Sequence, residues 1–139
     1  MTRGVDAYRR TEAQSASPMQ LVVMLYDGAL RFLTEAKAAQ ATGDMPRRAH
    51  ALRRVAAIIA ECHSTLDLEK GGDVARELDR LYSYLSERLL DVNVKKDATA
   101  IDEMHRLLTP VRNAFAEAAA QSVIAAAPAA QAAGVSVAR

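Results

Sequence analysis

The chain has 139 residues, enough for one domain, and its 18 basic and 17 acidic residues leave a net charge of only +1. A charge so close to neutral excludes a whole-chain attraction to nucleic acid or to an anionic membrane. Half of the residues are hydrophobic, while only 6 are Gly, 4 are Pro and 4% are aromatic. This composition favours closely packed helices over an all-β fold, which needs frequent turns.

The composition also bears on where the protein works. Cys62 is the single cysteine, so no disulfide can form within the chain, which is typical of a cytoplasmic protein. Residues 1–20 carry five charges and no apolar run, unlike a signal peptide. The longest apolar stretch, Leu21 to Leu30, is interrupted by Asp27 and falls short of the roughly 20 residues of a membrane span. We expect a cytoplasmic protein without membrane insertion.

The first helix is predicted to begin at Ser17, because Ser17 can cap it, Pro18 suits its first position and Gln20 can reach back to the cap. Thr42-Gly43 is predicted to end this helix, since glycine is common just after a helix C-terminus. The apolar positions expected to face the core follow a three-four spacing: Leu21, Leu25, Gly28, Phe32 and Ala36.

The second helix is predicted to follow a short connection at residues 43–46 and to run to about Leu68. A loop at residues 69–73 contains two glycines, and Asp73 is expected to cap the third helix. The predicted core positions of these two helices are Ala49, Leu52, Ala56, Ile59, His63 and Leu66, then Val74, Leu78, Leu81, Leu85, Leu89 and Val92.

The third helix should end at residues 93–97, where Asp97 can cap a fourth helix. From Gln121 onward the sequence loses both periodicity and charge. Short connections place successive helices side by side, so we predict an all-α, antiparallel up-down-up-down four-helix bundle. Its expected parts are an N-terminal cap segment that packs on the bundle (1–16), the bundle itself (17–120) and a disordered, Ala-rich C-terminal tail (121–139). The expected core positions of the fourth helix are Ile101, Met104, Leu108, Val111, Phe115 and Ala118.

Two helices carry more apolar residues than one core stripe requires. The run from Leu21 to Tyr26 surrounds the first helix, and Val55, Ile58 and Cys62 form a second stripe on the second helix. A thick core would explain this excess. An outward apolar seam would also explain it, provided that a partner or the N-terminal segment covers the seam. Val5 and Tyr8, three residues apart, are the candidate cover.

Sequence motifs for the common catalytic mechanisms are missing, so we expect no enzyme and no cofactor. Asp102 and His105 share a helix face, but the partner ligands of a bundle metal site are lacking, which favours a solvated pair over a metal site. Cys62 is expected to be a buried thiol. The basic pairs are dispersed among acidic residues and are interpreted as solvated faces, so no nucleic-acid partner is expected.

Several motifs, in order and at characteristic spacing, resemble the FliS family of flagellar export chaperones. They cover the chain from about Val5 to Glu117. The segments that carry the resemblance are Ala7-Tyr8, Ser15-Ala-Ser-Pro18, Leu21-Val-Val-Met-Leu-Tyr-Asp-Gly-Ala29, Arg31-Phe-Leu33, Leu66-Asp-Leu-Glu-Lys-Gly-Gly72, Leu81-Tyr-Ser-Tyr84, Arg88-Leu89 and Asn93-Val-Lys-Lys-Asp97.

The resemblance implies a cytoplasmic chaperone that binds the C-terminal segment of flagellin, prevents its early polymerisation and delivers it to the flagellar type III export gate. An apolar, otherwise disordered segment would occupy the second seam. The residues expected to bind it are Val5 and Tyr8 as a mobile clamp, and Val55, Ile58, Leu78, Tyr82 and Leu85 as the groove wall.

Two other hypotheses are weighed against this one. The same seam could pair subunits in a homo-oligomer without a flagellin client, and a homodimer of the unliganded chaperone is compatible with either hypothesis. A metal-binding bundle enzyme would contain stoichiometric iron, zinc or manganese, which we do not expect.

Overall fold

The computed structural model describes residues 17–133, with side chains as far as Gln121. Its elements are four helices, α1 (Pro18–Thr42), α2 (Met45–Ser64), α3 (Gly72–Lys95) and α4 (Ala98–Ala133), and the described residues include no strand. The helices pack against one another as an all-α four-helix bundle, which confirms the predicted fold class.

The described chain divides into two compact units. One consists of residues 25–111 and contains most of α1, all of α2 and α3 and the first part of α4. The other contains residues 17–24 and the part of α4 that follows Val111. In this smaller unit Ala119 is buried, whereas Met19, Leu21 and Met24 are each 39% exposed.

Local sequence determines the start of α1 as predicted. The backbone N–H of Gln20 donates to Ser17 Oγ (3.1 Å), and the N–H of Ser17 donates to Gln20 Oε1 (2.8 Å), forming a reciprocal capping box. Asp97 also caps as expected, because its carboxylate accepts the backbone N–H of Thr99 at 3.0 Å in the first turn of α4.

Two predicted boundaries around the second loop are wrong. Helix α2 ends at Ser64, before Leu68, because the Asp67 carboxylate accepts the N–H groups of Glu69 and Lys70 and stabilises a turn there. Helix α3 begins at Gly72 with Gly71 at its cap position, and Asp73 pairs with Arg76 within the helix instead of capping it.

The end of α3 is held by side chains from the first two helices. Arg48, only 5% exposed, donates from its guanidinium to the carbonyl of Val92 and from Nε to Gln40 Oε1 (2.8 Å). Gln40 Nε2 in turn donates to the carbonyl of Lys96 (2.9 Å), the left-handed residue that ends the helix. The positive charge of Arg48 also interacts favourably with the negative, C-terminal end of the α3 dipole.

Helix α4 continues to Ala133, past residue 120, the predicted end of the bundle. The core-facing stripe of α1 is shifted by one residue from the predicted stripe. Leu21 is exposed, and Leu25 and Phe32 are half-buried. Only Gly28 and Ala36 of the predicted residues are buried. The buried residues of α1 are Tyr26, Gly28, Ala29, Leu33, Ala36 and Ala39.

Candidate functional site

One face of α3 changes from exposed to buried along its length. Val74, Leu78, Tyr82 and Leu85 lie on this face at spacings of four, four and three residues. Val74 is 66% exposed and Leu78 is half-buried, whereas Tyr82 and Leu85 are in the core. The face, called the α3 face below, therefore offers apolar surface at its N-terminal end and continues into the interior.

The two predicted binding residues on α2 lie in the core. Val55 is 0% and Ile58 8% exposed, and Cys62 is buried with them. A Cβ atom on Gly28 would lie 3.3 Å from Ile58 Cδ1, so glycine allows α1 and α2 to approach closely at this point. The second apolar stripe of α2 therefore belongs to the core in this structure, which agrees with the thick core and not with the outward seam, the two explanations offered for the excess of apolar residues.

A polar cluster lies within this core. The hydroxyl groups of Tyr26 and Tyr82 hydrogen-bond to each other, and their rings meet edge to face with centroids 6.4 Å apart. Burial raises the pKa of both phenols, that of Tyr82 to about 12, and raises the pKa of the neighbouring Cys62 thiol to about 11. All three groups are therefore neutral at physiological pH, as a packed core requires.

From the sequence, Tyr82 is predicted to lie in the groove wall, and Tyr26 is predicted only to belong to the apolar run that surrounds the first helix. The structure buries both tyrosines and pairs their hydroxyl groups with each other. The missed signal was the apolar spacing of Tyr26, Ala29, Leu33 and Ala36, which is as regular as that of the predicted stripe.

Beside this core, His63 Nε2 and Asp79 Oδ1 are hydrogen-bonded at 2.6 Å, and the His63 ring lies 5.7 Å from that of Tyr82. His63 therefore faces Asp79, and Cys62 contacts Tyr82. The adjacent cysteine and histidine have different partners and do not form a nucleophile and base pair.

A second polar network joins α3 to α4. Arg88 donates from Nε to Glu103 Oε1 and from Nη1 to Asp91 Oδ2, both at 2.7 Å. The hydroxyl of Tyr84 donates to Glu103 Oε2 at 2.8 Å. The hydrogen bond from Tyr84 and then the hydrogen bond from Arg88 are the largest causes that lower the pKa of Glu103. The network keeps the two helices in register beside their two-residue connection.

A cleft of about 270 Å³ lies between α1 and α4. Leu33 and Ile101 form its apolar floor, and Lys37 Nζ and Asp102 Oδ1 form an ion pair at 2.7 Å on its rim. Asp102 thus has a lysine partner. Among the residues that the structure describes, no three His, Cys, Asp or Glu side chains come together as metal ligands would.

Val5 and Tyr8, the predicted clamp, lie outside the described residues. The other five predicted binding residues are all described. Four of them are buried and Leu78 is half-buried. No helix in the described part of the chain is both long and apolar enough to span a lipid bilayer.

A helical bundle with an apolar helix face that opens to solvent is typical of a protein-binding domain. Residues 1–122 match the family model described as flagellar protein FliS. The flagellar secretion chaperone FliS of Salmonella typhimurium is 38% identical over 117 residues, which are 81% of this chain and 87% of the relative. Its counterpart in Campylobacter jejuni is 36% identical over 112 residues, covering 81% of this chain and 88% of the relative.

A third relative, the flagellar secretion chaperone FliS of Vibrio cholerae, is 31% identical over 119 residues, covering 83% of this chain and 88% of that protein. The chain belongs to the FliS family of flagellar secretion chaperones. The family predicted from the motifs is thereby confirmed, and it is a family of chaperones, not of enzymes.

Proposed function

We propose that this protein is a cytoplasmic chaperone that binds the C-terminal segment of flagellin, prevents its premature polymerisation and delivers it to the flagellar type III export gate. Membership of the flagellar secretion chaperone family carries the proposal. The segment held by the chaperone is called the client below. The open N-terminal end of the α3 face supplies apolar surface in the folded chaperone on which a client can first dock.

The client contacts Leu78 first, since among the proposed wall residues it is the one with a half-exposed side chain. Val55, Ile58, Tyr82 and Leu85 are buried, so they reach the client only if binding opens the core beside them. Val5 and Tyr8 act as the clamp that closes over the bound segment. Ordering a disordered client costs about 2 to 5 kcal/mol, which a large apolar contact must exceed.

Titration calorimetry with the C-terminal segment of the flagellin from the same genome tests the proposal. We expect a one-to-one complex with a negative heat-capacity change, as apolar burial produces. Leu78→Ser should weaken binding with little loss of stability. Leu90→Ser is the matched control, because Leu90 is also an α3 leucine, is 64% exposed and lies away from the α3 face. Equal affinities of the two variants would contradict the assignment of the α3 face.

Tyr8→Ala tests the clamp in the same titration, and unchanged affinity and thermal stability would contradict that assignment. Failure of the folded protein to bind the segment at all would contradict the flagellin proposal. Sedimentation at several protein concentrations then tests the homo-oligomer alternative, in which mass rises with concentration.

A further inference from the structure

Two arginine side chains from different helices meet at one aromatic ring on the surface. The guanidinium carbon of Arg31 lies 5.0 Å from the centroid of the Phe32 ring, and that of Arg54 lies 5.6 Å from the same centroid. The ring of His50 contacts Phe32 edge to face, with centroids 6.4 Å apart. The cluster, called the arginine pair below, connects α1 to α2 within the larger unit.

Within residues 17–121, neither Arg31 nor Arg54 contacts a carboxylate, in contrast to four other arginines of this part of the chain. Glu35 lies one turn after Arg31 but forms its ion pair with Arg47, whose Nε lies 3.3 Å from Glu35 Oε1. The arginines that do pair with a carboxylate are Arg47, Arg76, Arg80 and Arg88.

Contact with Phe32 positions both cations before any ligand arrives. A guanidinium stacked on a ring keeps the edge N–H groups of its planar fork free for a carboxylate, so less side-chain entropy is lost on binding. Two like charges near one ring also repel each other, and an anion between them would relieve that repulsion. Arg31 and Arg54 are exposed, and the half-buried Phe32 adds apolar surface.

We propose that the arginine pair is a docking site for an acidic segment of a partner protein, whose carboxylates bind Arg31 and Arg54 while its apolar atoms pack on Phe32. Two cations suit one or two carboxylates. A polyanion such as RNA gains its affinity from many phosphate contacts, which a protein of net charge +1 with Glu35 beside the pair does not favour. This site is independent of the α3 face and of the identity of the client.

The test titrates the full-length protein with a short glutamate-rich peptide at low salt and follows the backbone amide signals by NMR. We expect shifts centred on residues 31, 32, 50 and 54, and no such shifts with the peptide in which glutamine replaces glutamate. The double variant Arg31→Gln/Arg54→Gln should lose about tenfold or more in affinity, as expected for two charge-assisted contacts.

Arg76→Gln/Arg80→Gln is the matched control, because it removes the same charge from exposed arginines that already have carboxylate partners. It should retain the affinity of the parent protein. Equal losses in both double variants would overturn the proposal, as would equal binding of the glutamine peptide. Tighter binding of single-stranded RNA or of anionic lipid vesicles than of the peptide would also overturn it. Thermal melting of both variants checks that they fold.

Discussion

The hydroxyl group of Tyr26 on α1 hydrogen-bonds to that of Tyr82 on α3 in the interior of the bundle, where Tyr26 is 1% and Tyr82 2% exposed. Replacing either tyrosine by phenylalanine removes this hydrogen bond and takes one partner from the remaining buried hydroxyl. We expect each single variant to lose about 1 to 2 kcal/mol of unfolding free energy.

The double variant Tyr26→Phe/Tyr82→Phe should lose less than the sum of the two single variants, because no hydroxyl of the pair then remains to be satisfied. Urea denaturation of the four proteins measures this coupling. Strictly additive losses would show that the two hydroxyl groups do not interact energetically.

The buried phenols and thiol predict alkaline destabilisation. Burial raises the pKa of Cys62 from 9.0 to about 11 and that of Tyr82 from 10.0 to about 12, and it also raises that of Tyr26. The unfolded chain therefore ionises first, and the stabilisation is complete below pH 9 and lost as pH rises through 12. Thermal melting between pH 8 and pH 12 should show this fall, and the Tyr26→Phe/Tyr82→Phe variant should show a shallower one.

Acidic pH should weaken the connection between α3 and α4. The hydrogen bonds of Glu103 to Tyr84 and Arg88 lower its pKa, so its contribution is present above the unfolded value of 4.5 and lost as pH falls through the folded value. When the free energy of unfolding is measured against pH, Glu103→Gln should reduce the fall in stability below pH 4.5. Glu87→Gln on the exposed surface of α3 is the control, and an equal reduction there would refute this explanation.

Arg48 should matter more to stability than other arginines of α2. Arg48→Met removes the part-buried hydrogen bond to Gln40 and the buried one to the carbonyl of Val92, so each acceptor loses one donor. We expect a loss of about 1 to 3 kcal/mol in chemical denaturation. Arg53→Met makes the same chemical change at an exposed position of the same helix and should alter stability by less than about 0.5 kcal/mol.

Local signals predicted the helices well. The reciprocal cap of Ser17 and Gln20, and the cap at Asp97, depend on neighbours within three residues, so they can be read from the sequence. Asp73 does not cap α3 as predicted. The carboxylate of Asp67, six residues earlier, accepts backbone N–H groups of the preceding turn and stabilises it. Small differences in free energy decide which of several nearby residues caps a helix, and the sequence pattern does not show these differences.

Burial was harder to predict than helix position. Two stripes of α1 are almost equally apolar, and the structure buries the one with Tyr26 and Leu33, while Phe32 stays at the surface between arginines. The choice depends on the polar partner that Tyr82 offers to Tyr26 and on the contact of Gly28 with Ile58. Both are tertiary contacts between residues about thirty or more positions apart, and spacing within one helix does not reveal them.

The chain order of the contacts at the end of α3 has a consequence for synthesis. The donors, Gln40 and Arg48, precede the acceptors, Val92 and Lys96, by more than forty residues. During translation the donating side chains leave the ribosome first, as part of α1 and α2. The last turn of α3 can therefore form its hydrogen bonds to Gln40 and Arg48 as soon as it leaves the ribosome. These contacts do not require that α4 has been synthesised.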